Sequence, residues 1–298
     1  MKRAGFSTIE LVVVMVIGGI VAATIGGVLR RQQRFFTNAA TIVEQRVSLR
    51  DATGILPAEL RALSPAGGDV LAFSDSALEI RATIGTAIAC DTVAGGGAID
   101  LAPAQAAKSR PLSAYTTSPQ PGDIALVSDA DAPGDSSSGG WSEVEITSVA
   151  ARTDVCATSP LVEPALDAPR LELRFASGTR LPASVRPGAF VRILRRVRYR
   201  FYRASNAQWF LGYSEWDATA YGVVQPVSGP YAAYSRGAGS GLSLRYFDGA
   251  GGPITAPTDA ARIARIATVV RGTPGAGMSG NASTVTDSQT ITVRVRNR

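Results

Sequence analysis

FSTIELVVVMVIGGIVAATIGGVL, residues 6–29, carries a single charge, Glu10. As a helix this run is about 36 Å long, enough to cross a hydrocarbon core of about 30 Å. A carboxylate in such a segment costs up to roughly 3 kcal/mol at the bilayer centre and less toward an end, so it needs a partner and a role. Lys2 and Arg3 precede the run, and Arg30, Arg31 and Arg34 follow it, so local positive charge does not fix the orientation. Small residues recur inside it at helical spacing. Gly18, Ala22 and Gly26 fall on one line and Gly19, Ala23 and Gly27 on the next, a pattern that lets helices approach closely. A secretory signal peptide shares the basic start and apolar centre, but it carries no acid in its apolar part and ends at a small-residue cleavage site. Here the acid is present, and the run continues without turn residues into a second helical pattern.

That second pattern occupies residues 30–56. Phe35, Ile42, Leu49 and Leu56 recur every seven residues, flanked by Phe36, Ala39, Val43 and Ala52, while Arg34, Glu44, Arg46, Arg50 and Asp51 take the other side. A stripe of this width suits a helix laid against a globular core better than a coiled-coil seam. Gly54 and Pro57 are stop signals, so the pattern predicts one helix from about residue 7 to residue 54 or 56.

Beyond Pro57 the period changes from helical to alternating. The predicted strands are residues 69–73, 77–83, 87–93, 123–128, 141–149, 170–176, 189–202, 208–215, 241–247, 264–270 and 290–296, separated by Gly-, Ser-, Asp- and Pro-rich turns. Residues 94–122 and 272–283 read as linkers or long surface loops. The expected fold class is α+β: a long N-terminal helix, apolar and then amphipathic, packed on a mainly antiparallel sheet that forms one body over residues 57–298.

Composition narrows the function. The chain has 298 residues with 30 basic and 24 acidic side chains, a net charge of +6 that falls to +4 without Lys2 and Arg3. This mild excess does not by itself imply nucleic acid. There is no histidine, which removes the commonest general base and zinc ligand. No GxSxG elbow occurs, and the glycine-rich run at residues 237–241 does not lead into a helix as a phosphate loop does. The expectation is a protein that is not an enzyme and uses no cofactor or metal. Cys90 and Cys156 cannot make a zinc site unaided; in an exported body they are expected to pair, and the alternative is two buried thiols.

The leader MKRAG, the Gly5–Phe6 junction, Glu10 four residues beyond Phe6, and the apolar helix continuing into an amphipathic one together resemble the N-terminus of type IV pilins and the pseudopilins of type II secretion. The resemblance covers the first 30 or so residues. It implies a leader over residues 1–5, cleavage by a prepilin peptidase after Gly5, and methylation of the new amine of Phe6. It further implies a span and filament core over residues 6–29, with Glu10 neutralising the amino terminus of a neighbouring subunit. Before assembly the chain would cross the inner membrane once, with its body in the periplasm, and it would then join other pilins or pseudopilins through the inner-membrane assembly platform. Many major pilins carry a proline in the middle of this helix, where the chain has Gly26–Gly27. The body is large, and its order of segments, GDIALVSD, WSEVEITSV, VRILRRVRYRFYR, AQWFLGYSEW and GLSLRYFDGAGG, looks like that of W-type minor pilins and J-type minor pseudopilins.

Two further segments have alternative readings. In residues 191–203 Val191, Ile193, Val197, Tyr199 and Phe201 face one way, and Arg192, Arg196, Arg198 and Arg200 the other. Such a stripe can bind a nucleic-acid backbone or an exported substrate, but the favoured reading is a half-buried strand whose arginines are solvated or pair with acids on neighbouring strands. Asp129, Asp131 and Asp135 lie in a Gly/Ser-rich loop for which calcium binding is one reading, but the loop lacks the spacing and closing glutamate of an EF-hand, and a flexible turn is the favoured reading. A membrane-anchored exported protein that never assembles is the remaining alternative for the whole chain.

Overall fold

The computed structural model describes residues 7–93, 95–103, 112–129, 140–157, 159–162, 170–237, 239–272 and 287–295. Helix α1, Thr8–Ala62, runs past both expected stops. Gly54 meets nothing within 4 Å of where a Cβ would stand, and Pro57 lies inside the helix. A proline in a helix interior costs about 3 kcal/mol through its missing N–H and the clash with the preceding turn. Leu56, Leu60 and Leu63, each 1% exposed, outweigh it, since burying one such side chain contributes about 1.5–3 kcal/mol. The helix therefore continues to Ala62, capped at Leu63, and a 3-10 turn over Pro65–Gly67 follows.

The amphipathic stripe docks over only its C-terminal half. Leu49, Ala52 and Leu56 are buried against the body as expected, but Phe35, Phe36 and Val43 are more than half exposed. After an exposed, loose pair of Arg46 with Asp287 at 3.9 Å, buried docking begins at Ser48. Its hydroxyl donates to the Gly229 carbonyl at 2.8 Å, and its own carbonyl accepts from the Tyr231 hydroxyl at 3.0 Å. At the other end Arg192 Nη2 donates to the Ala62 carbonyl at 3.3 Å.

The body is antiparallel. Its strands are β1 (Val70–Phe73), β2 (Ala77–Thr92), β3 (Ala98–Leu101), β4 (Ala114–Tyr115), β5 (Ile124–Ser128), β6 (Trp141–Arg152), β7 (Arg170–Phe175), β8 (Phe190–Arg203), β9 (Trp209–Glu215), β10 (Gln225–Tyr231), β11 (Leu242–Phe247), β12 (Pro253–Ile254), β13 (Arg265–Arg271) and β14 (Ser288–Arg294). The two strands predicted over 77–93 are one, β2, with a bulge at Ile84 where Thr83 faces Leu194 and Gly85 faces Ile193. The bulge shifts the parity of β2, which is why its halves read as separate strands. Residues 94–122 are not a loop throughout: β3 lies there with all four residues buried, and β4 crosses Gly85 so closely that a Cβ would lie 2.4 Å from Tyr115. Strand β10 was hidden by Pro226, Pro230 and Gly229.

Strands β2 and β8 pair along most of their length and serve two structures at once. On one side the pairings β2–β3–β7–β6–β5–β8–β2 close a six-stranded barrel around Ile84, Ile99, Leu101, Val127, Ile146, Leu173, Val191 and Ile193. On the other, the remaining lengths of β2 and β8 join β1, β9 and β10 in an open sheet. The docked half of α1 covers it with Leu49, Leu56, Leu60 and Leu63 over Leu78, Ile80, Val197, Tyr199 and Leu211. A second sheet, β12-β11-β13-β14, adds Leu242, Ile266, Val270 and Val293 to this core. A bridge between Tyr231 and Gly272 joins the two sheets.

Candidate assembly interface

Among the described residues, one helix is long and apolar enough to cross a membrane, and none of the segment Thr8–Thr37 is buried by the rest of the chain. Ile9, Val14, Met15, Ile20 and Ile25 are all more than half exposed. Glu10 stands in this uncovered part, exposed and without an ion-pair partner among the described residues. Gly5 and Phe6 lie outside the described residues. Around Gly18, Gly19, Gly26 and Gly27 nothing among the described residues approaches within 4 Å of a Cβ position, and Ala22 and Ala23 beside them are exposed. Small residues so placed leave room for another helix to approach closely.

The basic strand resolves into pairs. Arg192 meets Asp69 at 3.2 Å, and Glu79 receives Arg196 at 3.3 Å and Arg198 at 2.6 Å. Tyr221 lies under Arg198 at 3.7 Å and donates its hydroxyl to Glu79 at 2.9 Å. These bonds hold the Glu79 carboxyl below its usual range against a desolvation that pushes the other way. Arg200 and Arg203 remain exposed.

Arg195 is the residue that sequence alternation passes over. It shares its parity with Val191, Ile193, Val197 and Tyr199, and it points inward between the barrel core and the helix-backed core. There it forms a bidentate pair with Asp123 at 2.8 and 2.9 Å, reaches Glu215 at 2.9 Å and donates to the Ser118 carbonyl at 2.9 Å. Asp123 immediately precedes β5, and Glu215 ends β9, so the guanidinium ties together the point where β8 exchanges one neighbour for the other. A lone charge on the apolar parity of a strand was the signal that marked it.

Cys90 and Cys156 are joined in a disulfide. It links the far end of β2 to the turn after β6, and with Ala102 and Val162 it forms a small cluster at that end of the barrel. The link closes a span of 66 residues, worth roughly 4 kcal/mol in the chain-entropy account.

Beside it, Asp91, Asp100 and Glu172 face one another across β2, β3 and β7. Glu172 is compensated by Arg152 at 3.2 Å and Arg174 at 2.5 Å, whereas Oδ1 of Asp100 is buried without a hydrogen-bond partner. Burial, then the charges of Glu172 and Asp91, push the Asp100 carboxyl up to about 6. A folded-state value above the unfolded one stabilises fully below about pH 4, and that contribution is lost as pH rises through about 6. Asp100→Asn is therefore expected to stabilise the protein by ~1–2 kcal/mol at pH 7.5, after allowance for solvent screening, and to flatten stability between pH 4 and 6. Urea denaturation across that range checks it; a variant less stable at pH 7.5 would refute the assignment.

Among the described residues no three His, Cys, Asp or Glu side chains are grouped to hold a metal ion. Asp131 and Asp135 lie outside the described residues, and the Asp129 N–H donates to the Gly140 carbonyl at 2.6 Å. A shallow cleft of about 470 Å³ sets Arg203 beside Trp209 and Tyr231 but brings no acid and base together. Compared with known proteins, the chain gives no significant match to any protein-family model, curated protein or solved structure.

Proposed function

We propose that this chain is a structural subunit of a type IV pilus or a type II secretion pseudopilus, of the minor kind, and performs no chemistry of its own. The observation that carries the reading is the division of α1. Its C-terminal part is a fixed component of the body, while the segment Thr8–Thr37 extends away from it for about 45 Å with its apolar side chains, two small-residue lines and Glu10 uncovered. An uncovered apolar helix suits a bilayer before assembly and a bundle of like helices afterwards. The disulfide suits a body on the oxidising, exported side of the inner membrane. Prepilin peptidase, sister subunits and the assembly platform are the partners this reading requires.

The basic strand favours this reading over a nucleic-acid module. Asp69, Glu79, Asp123 and Glu215 already take up the charge of Arg192, Arg195, Arg196 and Arg198.

Mass spectrometry of the protein from its own membranes tests the proposal. The expected mature chain begins at an N-methylated Phe6. A retained Met1, or a new terminus near residue 25, would rule it out.

A further inference from the structure

Three arginines at the end of the apolar run have no counter-charge. Arg30, Arg31 and Arg34 are exposed, and among the described residues none has an ion-pair partner. The sequence from Leu11 to Val43 contains no acid, so no carboxylate is within a helical turn of them. Arg30 and Arg34 stand four apart on one face, where like charges repel and weaken an isolated helix. Phe35 and Phe36 follow at once, 62% and 69% exposed, their rings edge to face at 6.0 Å. Cations flanked by bare aromatic rings fit a surface that is anionic on its outside and apolar just beneath, which is the headgroup boundary of a bilayer.

The spacing along the helix agrees. Twenty residues separate Glu10 from Arg30, a rise of about 30 Å, which is the thickness of a hydrocarbon core. With the arginines at one boundary, Glu10 reaches the other, where its carboxylate meets water and headgroups and its cost is small.

We infer that Arg30, Arg31, Arg34, Phe35 and Phe36 form a collar that binds anionic phospholipid headgroups of the leaflet nearest the body, and so hold Glu10 at the opposite headgroup boundary until assembly. This inference rests on the membrane-inserted precursor of the proposed function and adds the lipid class and the depth.

The test uses the full chain with its disulfide intact, reconstituted in vesicles of phosphatidylcholine with and without phosphatidylglycerol. Fluorophores are placed through Thr8→Cys, Ile20→Cys and Phe36→Cys. Depth-dependent quenching is expected to place the Ile20 probe deepest and the other two at headgroup level. Spin-labelled phosphatidylglycerol is expected to be retained around the protein several-fold over phosphatidylcholine, since each arginine near an anionic surface contributes roughly fivefold. The preference should fall to parity in R30Q/R31Q/R34Q and persist in R46Q, whose site lies beyond the collar; circular dichroism confirms that both variants fold. A deep Ile20 probe with no lipid preference, or with a preference that survives the triple substitution, overturns this inference and leaves the proposed function standing. An Ile20 probe in water overturns both.

Discussion

Glu10→Leu is expected to yield a chain that is inserted, processed and folded, yet absent from filaments. Insertion should not suffer, because leucine is the better residue in a bilayer, and folding should not, because Glu10 touches nothing in the body. The loss arises at assembly. On the proposed function, the amino terminus of a neighbouring subunit would become a buried charge in the helical bundle, and removing its partner would cost about 3–5 kcal/mol, more than a hundredfold in occupancy. Glu10→Gln keeps the shape and loses the charge, so it should fail as well. The measurement is the ratio of filament-borne to membrane-borne protein after shearing. Leucine and wild-type chains incorporated equally would remove the pairing role, and a leucine chain missing from the membrane would assign Glu10 to insertion instead.

Arg195→Met is expected to destabilise the body by about 3–5 kcal/mol, the range for removing one partner from a buried ion pair. Asp123 and Arg195 have side chains 1% and 4% exposed, so the carboxylate left behind has no solvent to turn to. Glu215 is less affected, since it is partly exposed and keeps the Tyr213 hydroxyl at 2.9 Å. Pairing the change with Asp123→Asn should restore a large part of the loss, because two uncharged groups of similar volume carry no orphaned charge. Denaturant unfolding followed by tryptophan fluorescence checks both, with Trp209 and Trp216 on the affected side of the body. A single variant within 1 kcal/mol of wild type would show that the pair is not a stabilising junction.

Strand alternation was legible where side chains obey one face, and β5, β7, β9, β11 and β13 fall within a residue or two of their expected places. It failed where tertiary contacts override local pattern. The bulge at Ile84 divided β2 in the sequence, and Pro226 and Pro230 disguised β10. β3, with four buried residues, was submerged in an Ala- and Gly-rich stretch. Pro57 marked a stop that three buried leucines override. The apolar helix was legible because an uncharged run of that length declares its own period and exposure in the sequence. That docking starts only at Ser48 was not, since the stripe looks alike on both sides of that point and only the Gly229 and Tyr231 contacts select one half.

The barrel has one more consequence. Strands β3 to β7 all belong to a single excursion between β2 and β8, and the chain leaves and returns at the same place. The Ala89 N–H donates to the Ala189 carbonyl at 2.8 Å, and the Gly188 N–H to the Ala89 carbonyl at 2.7 Å. The barrel is thus a graft on a hairpin, and a two-residue turn in place of residues 90–187 would heal the cut. The trimmed scaffold would need polar replacements for Ile84, Val191 and Ile193, which lose their cover, while Glu215 stays to hold Arg195. The half that carries the helix and the half that presents the barrel therefore meet where β2 and β8 pass from one to the other, and the buried Arg195–Asp123 pair fastens that seam.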